Sequence, residues 1–187
     1  MPSPAVLVFA GPNGSGKSSV TAEIGRVGTY VNADEIKART GRSDLAAAEE
    51  AERLREFCLS RGEDFTFETV LSTDRNLALL RRAREAGFAV RSVFVLTANA
   101  EINVLRVRSR VADGGHDVPV DKIRARFARS LANLPELARL SQECSVIDNT
   151  TDHPHVIYQK VGEEEFISPS PVWSEAAIRD LLGLANT

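Results

Sequence analysis

The sequence predicts an α/β fold of three layers, with helices packed on both faces of a mostly parallel central sheet. Two observations carry this. Short β-branched apolar runs alternate with helix-period segments along the whole chain, as successive βαβ units require. The first such run ends in a glycine-rich turn that opens directly into a helix, the kind of junction where open α/β sheets hold ligands. The 187 residues suit one domain over 1–187 with a sizeable core, and no repeat, linker or low-complexity stretch divides them.

The elements follow in order. Val6-Leu7-Val8-Phe9 is a buried strand ending at Gly11, and a helix follows over 17–26. Thr29-Tyr30-Val31 is a short strand handing over at Asn32, whose side chain caps a helix over 33–39. Residues 43–61 form an amphipathic helix with Leu45, Leu54, Phe57 and Cys58 on its apolar face, stopped by Gly62. The stretch 65–70 alternates as a strand, 73–86 is a helix ended by Gly87, and 88–96 is the next buried strand. Two basic helices over 101–111 and 121–131 flank a Gly114-Gly115-His116 loop. His116 reads either as a phosphate contact or as a cap or packing residue at the second of them. Strands over 145–147 and 155–161 and a helix over 174–184 complete the chain.

Composition narrows the function. An apolar share of 43% and a charged share of 26% are those of a soluble globular chain. A net charge of −3 argues against a protein held to nucleic acid by its overall field. The start lacks a basic segment, and the apolar run 5–10 is too short for a signal or a membrane span, so the expected address is cytoplasmic. Cys58 and Cys144 stand apart without a CxxC pattern and read as reduced thiols. His153 and His155 lack further ligands nearby and read as a solvated loop.

Gly11-Pro12-Asn13-Gly14-Ser15-Gly16-Lys17-Ser18 matches GxxxxGK[ST] between a strand and a helix, the context that gives the motif its meaning. Glycines turn the chain tightly enough to aim backbone N–H groups at phosphates, and the helix N-terminus adds its dipole. The motif therefore predicts a P-loop NTPase fold that binds ATP with Mg²⁺, through Gly11, Asn13, Gly14, Ser15, Gly16, Lys17, Ser18 and Ser19. By itself it does not separate kinases from ATPases, GTPases or nucleotide-gated binding modules, which the acceptor side must decide. Lys17 neutralises the β and γ phosphates, and Ser18 is the metal ligand.

Asp34 follows the second strand, where parallel strands end at the ligand crevice, and there it orients an acceptor hydroxyl and takes its proton. The bland alternative is a helix-dipole carboxylate. Glu68 breaks the apolar pattern of Phe65, Phe67 and Val70, so it either points to solvent or faces the crevice as an acceptor ligand or a partner behind Mg²⁺. Thr69, Ser72 and Thr73 add hydroxyls at the same mouth.

These segments resemble the zeta toxin family of P-loop kinases, particularly its short single-domain members. The resemblance rests on GPNGSGKSS from position 11, NADEI from 32, FETVLS from 67, RVRSRVADGGHDVP from 106, RFARSLANL from 126 and DNT from 148. It implies transfer of the ATP γ-phosphate to a hydroxyl of a UDP-activated amino sugar such as UDP-N-acetylglucosamine, and an antitoxin protein as partner. Asp34 becomes the general base and Glu68 the strand acid that helps bind the acceptor. The segment 106–134 becomes a helical lid whose Arg110 and Arg126 close over the phosphates. Arg106 and Arg110 share one helix face at i and i+4, whereas Arg108, Arg124 and Arg129 suit solvent. The loop carrying Asp148 and Asn149 either lines the adenine pocket, as similar loops do in this kinase class, or is an ordinary turn. Ala125 departs from the pattern, standing where short relatives often carry another arginine. Rival readings are a kinase for a nucleoside, sugar or antibiotic hydroxyl, and a nucleotide-gated interaction module.

Overall fold

The structure, a computed structural model, describes residues 3–115 and 117–185, so His116 lies outside the described residues. Seven strands form one sheet in the order β2-β3-β1-β4-β5-β6-β7. The strands are β1 (Ala5–Ala10), β2 (Thr29–Val31), β3 (Phe65–Thr69), β4 (Ala89–Leu96), β5 (Glu143–Asp148), β6 (His155–Val161) and β7 (Glu164–Ile167). The first five run parallel, and β6 and β7 add an antiparallel edge. Because β1 is flanked by β3 on one side and β4 on the other, the chain reverses its winding direction there. The crevice at the C-terminal end of β1 is thus the topological switch point.

The helices are α1 (Lys17–Ile24), α2 (Ala33–Thr40), α3 (Asp44–Arg61), α4 (Arg75–Glu85), α5 (Ala100–Ala112), α6 (Val120–Ala132), α7 (Leu134–Leu140) and α8 (Glu175–Leu182). Alternate residues of β1 serve different faces. Val6, Val8 and Ala10 join the large core formed with α3, α4, α7 and α8, whereas Leu7 and Phe9 pack with Val93, Val95, Ile147 and Val20 of α1. A third cluster, Val104, Val107, Val118 and Ile123, seals α5 to α6 away from the sheet. Cys58 and Cys144 are free and buried, and burial pushes the Cys144 thiol up to about 11. No described helix is long and apolar enough to cross a membrane.

The structure corrects the expected face of α3. Ala47, Ala51 and Cys58 are buried and Leu54 partly so, whereas Leu45 is 71% and Phe57 56% exposed. The buried positions recur at steps of four, three and four, a proper helical stripe. Its small alanines let α3 come close to its neighbours, a role that side-chain hydrophobicity does not reveal. Strand β3 also departs from alternation: Phe65, Thr66 and Phe67 are all buried, since both faces of a central strand are covered. Two elements were not expected. Helix α7 carries Pro135 in its first turn, where proline is compatible with a helix, and β7 is a four-residue, glutamate-bearing edge strand.

The α3 register gives a direct test by urea unfolding. Ala51→Leu, which adds bulk at a buried position, is expected to lower stability by about 1–3 kcal/mol. Leu45→Ser is expected to change it by no more than about 0.5 kcal/mol. The reverse ranking would restore the original face.

Candidate active site

The glycine-rich loop between β1 and α1 is held from three sides. A Cβ at Gly11 would lie 2.0 Å from the Val95 carbonyl oxygen of β4, and one at Gly16 would lie 2.2 Å from the Asn149 amide nitrogen after β5. Both have positive φ, 139° and 95°, so glycine is required on two counts. Helix α5 closes the third side: a Cβ at Gly14 would stand 2.6 Å from the Asn103 carbonyl oxygen. Directed hydrogen bonds fix this packing. Asn103 Nδ2 donates to Asn13 O at 2.7 Å, Asn149 Nδ2 donates to Ser15 O at 2.7 Å, and Gly11 N donates to Thr69 O at 3.2 Å.

Asn13, Gly14, Gly16, Lys17, Ser18 and Ser19 border a cleft of roughly 780 Å³, with Gly11 and Ser15 buried beneath them. Lys17 Nζ folds back to donate to Pro12 O at 2.9 Å. Burial pushes its pKa down to about 8; Arg110 adds to this, while Glu68 and Asp34 oppose it. The ammonium therefore already sits among the charged groups singled out from the sequence.

Glu68 faces the crevice, which resolves its two readings. Its Oε2 accepts from Ser18 Oγ at 3.0 Å and its Oε1 from Tyr30 Oη at 2.7 Å. Asn32 caps α2 as expected, its Oδ1 accepting from Asp34 N at 2.8 Å, and Asp34 borders the cleft from the first turn of that helix. Thr69 also borders the cleft, but its hydroxyl accepts from Leu71 N at 2.9 Å and Asn76 Nδ2 at 2.7 Å. Ser72 is not among the lining residues. Between them Leu71 adopts a left-handed φ of 55° while only 1% exposed, and Asn133 Nδ2 donates to its carbonyl at 2.8 Å.

Arg110 and Arg126 both border the cleft, and Arg126 Nη1 reaches Asn13 Oδ1 at 3.4 Å. Arg106 and Lys122 border it too, neither selected as a site residue from the sequence. Arg106 is held by the loop after β5, donating to Asn149 O at 2.7 Å and Thr150 O at 3.4 Å. Arg108, Arg124 and Arg129 are exposed, Arg124 pairing with Glu101 at 2.7 Å. Asp148 is not in the cleft: it is buried and accepts from Thr150 N and Oγ1 and from Ser170 Oγ, bracing the turn. Asn149 supports the glycine loop from outside the cleft. Of the segment expected to act as a lid, α5 is part of the cradle wall, fixed through Asn103. Tyr30 and Asn103 carry no local sequence signal; only their tertiary neighbours reveal them.

Chemically, the arrangement can receive a polyanion among Lys17 and three arginines while presenting the Asp34 carboxylate to the same cleft. No family model matches the chain. It is 28% identical over 127 residues to an uncharacterized protein of Haemophilus influenzae, covering 65% of this chain and 91% of the relative. Its fold is similar to that of a chain in the AvrRxo1-ORF1:ORF2 complex with ATP (TM-score 0.72, 15% identity, 97% of this chain and 64% of that one). It is also similar to a chain of the PezAT chromosomal toxin–antitoxin system of Streptococcus pneumoniae (TM-score 0.62, 14% identity, 98% of this chain and 84% of that one). The chain spans somewhat less than two thirds of the AvrRxo1 chain it matches. At these identities the likeness is one of fold.

Asn103 is fully buried, and its amide serves both Asn13 O and the Thr97 hydroxyl. Asn103→Ala would leave Asn13 O without its donor, while the Thr97 hydroxyl can still donate to Asn99 O at 3.1 Å, so unfolding in urea should show a loss of about 1–3 kcal/mol. A loss no larger than that of an exposed substitution would mean the loop is held by other contacts.

Proposed function

We propose that this chain is an ATP-dependent kinase that transfers the γ-phosphoryl group to the hydroxyl of a small molecule. The observation that carries the reading is one cleft bordered by Lys17 and Ser18, by Asp34 of α2, and by Arg106, Arg110 and Arg126. The fold shared with a complex that holds ATP supports it.

The donor set suits Mg²⁺. Ser18 Oγ spends its proton on Glu68, leaving oxygen lone pairs for a hard cation, and a hard cation held mainly by phosphates and water needs few protein ligands. When bound, Mg²⁺ would neutralise charge on the β and γ oxygens. Lys17 binds the same oxygens once it leaves Pro12, and Arg110 and Arg126 balance charge as it spreads over the transferring group. Asp34 orients the acceptor hydroxyl and accepts its proton. The acceptor O–P bond forms as the bond to the ADP oxygen breaks, and Asp34 then releases the proton to solvent.

A side pocket of roughly 420 Å³ continues from Asp34 along α2, lined by Lys37, Ala38, Gly41, Arg42 and Arg110. Lys37 is paired with Asp44 at 2.6 Å and Arg42 with Glu50 at 3.4 Å, so an anionic acceptor would share cations already held in place. This suits a UDP-activated amino sugar such as UDP-N-acetylglucosamine, the acceptor that the zeta toxin resemblance implies. The toxin–antitoxin setting of one fold neighbour supports a protein partner that neutralises the chain.

Incubation with ATP, Mg²⁺ and a panel of nucleotide sugars, sugars and nucleosides should yield a phosphorylated product by mass spectrometry. ATP turnover indifferent to every acceptor would sink the kinase reading. Asp34→Asn should lower transfer by about 10² or more while ATP affinity stays within a few-fold of the parent. Unchanged transfer would return Asp34 to the helix-dipole role.

The lowered pKa of Lys17 predicts how nucleotide affinity varies with pH. Triphosphate charge favours the ammonium, so Lys17 holds its proton more tightly in the complex than in the free protein. Affinity should be level below pH 8 and fall as pH rises above it, as binding comes to require proton uptake. Calorimetry between pH 7 and 9.5 checks this; affinity that rises with pH would refute the assignment.

A further inference from the structure

A line of hydrogen bonds at the ends of β2 and β3 joins the two halves of the cleft. Ser18 Oγ donates to Glu68 Oε2 at 3.0 Å, and Tyr30 Oη donates to Glu68 Oε1 at 2.7 Å. Tyr30 Oη also accepts from Asn32 Nδ2 at 2.8 Å, and Asn32 Oδ1 accepts from Asp34 N at 2.8 Å. Tyr30 is the middle member and the one group through which both ends must pass. Its ring is clamped from outside by the Arg26 guanidinium, 3.5 Å from the ring centroid, and Arg26 is itself paired with Glu35 at 3.3 Å.

The chemistry of each link is directional. Both oxygens of Glu68 are engaged, so its carboxylate cannot rotate without breaking a bond. That fixes the direction of the Ser18 O–H, and with it the lone pairs left for a cation. The Asn32 amide is likewise oriented, its oxygen capping α2 and its nitrogen serving Tyr30. Burial and the adjoining Glu68 carboxylate push the Tyr30 hydroxyl far above its usual range, so it keeps its proton and remains a donor.

We infer that Tyr30 is a positioning residue for the cation side of the cleft, holding Glu68 against Ser18 with its proton while Asn32, the cap of the Asp34-bearing helix, donates to its oxygen. The inference rests on the kinase reading above. Removing the hydroxyl in Tyr30→Phe keeps the ring and its contact with Arg26 but frees Glu68 to turn away from Ser18. Asn32→Ser, in contrast, keeps a good helix cap and leaves the Tyr30–Glu68 bond in place.

The test is calorimetric binding of the β,γ-imido analogue of ATP across a Mg²⁺ titration, which reads cation coupling without requiring turnover. Tyr30→Phe is expected to raise the Mg²⁺ concentration for half-maximal enhancement about tenfold, with binding in the absence of Mg²⁺ within about twofold of wild type. Asn32→Ser is expected to keep the wild-type Mg²⁺ dependence within about twofold. A purely structural role would alter affinity with and without Mg²⁺ alike. Unchanged Mg²⁺ dependence in Tyr30→Phe overturns the inference alone. An equal shift in Asn32→Ser also overturns it, since general loosening of β2 would then be the cause. Failure of the wild-type chain to bind the analogue at all overturns the kinase reading, and this inference with it.

Discussion

The rest of the site depends on how closely the backbone of the glycine loop approaches its surroundings. Gly11, Gly14 and Gly16 each meet a different element, β4, α5 and the turn after β5, at distances that exclude a Cβ. Such contacts can exist only where the strand order brings the ends of β4 and β5 beside β1, so the loop's shape is a property of the sheet. The asparagine amides of Asn103 and Asn149 then satisfy loop carbonyls that would otherwise be left without donors. A loop held this way needs little reorganisation to receive an anion, and that preorganisation is where positioning catalysis gains most.

The same packing ties the start of the basic segment to the cradle. Arg106 is tied to backbone carbonyls and Asn103 to the loop, so the first half of α5 belongs to the wall. Arg110 stands one turn further on, and Arg126 touches the loop through the side chain of Asn13, a contact near the limit of hydrogen-bond length. The separate apolar cluster between α5 and α6 lets this pair hold together as a unit distinct from the sheet core. Charge in the cleft is similarly arranged in layers: Lys17 lies deep among Glu68, Asp34 and Arg110, with the remaining cations around the rim.

What could be read from the sequence was what local spacing encodes. The glycine-rich loop between β1 and α1, the cap at Asn32 and the position of Asp34 after β2 follow from residues within a few places of one another. Glu68 announced itself by interrupting an apolar strand, but its direction needed Tyr30, 38 residues away. Asn103 reaches the loop across 90 residues and looks like any polar helix residue. The face of α3 was misjudged because close packing selected Ala47 and Ala51 over the larger Leu45 and Phe57. Asp148 was open between an adenine-pocket loop and an ordinary turn, and Thr150 and Ser170, which engage its oxygens, give it a turn-bracing role. For Glu68 and Asn103 the deciding partner is remote in sequence.

Leu71 makes two demands that no single side chain meets well. Its left-handed backbone favours glycine, at a cost on the order of 1–3 kcal/mol for any other residue, while its place in the core calls for a full aliphatic side chain. Glycine would relax the backbone and open a cavity; asparagine would accept the φ angle and bury an amide. The turn that carries Thr69 to the cleft is therefore a position of narrow mutational tolerance, where drift is limited by conflict between backbone and core even though Leu71 does not line the cleft.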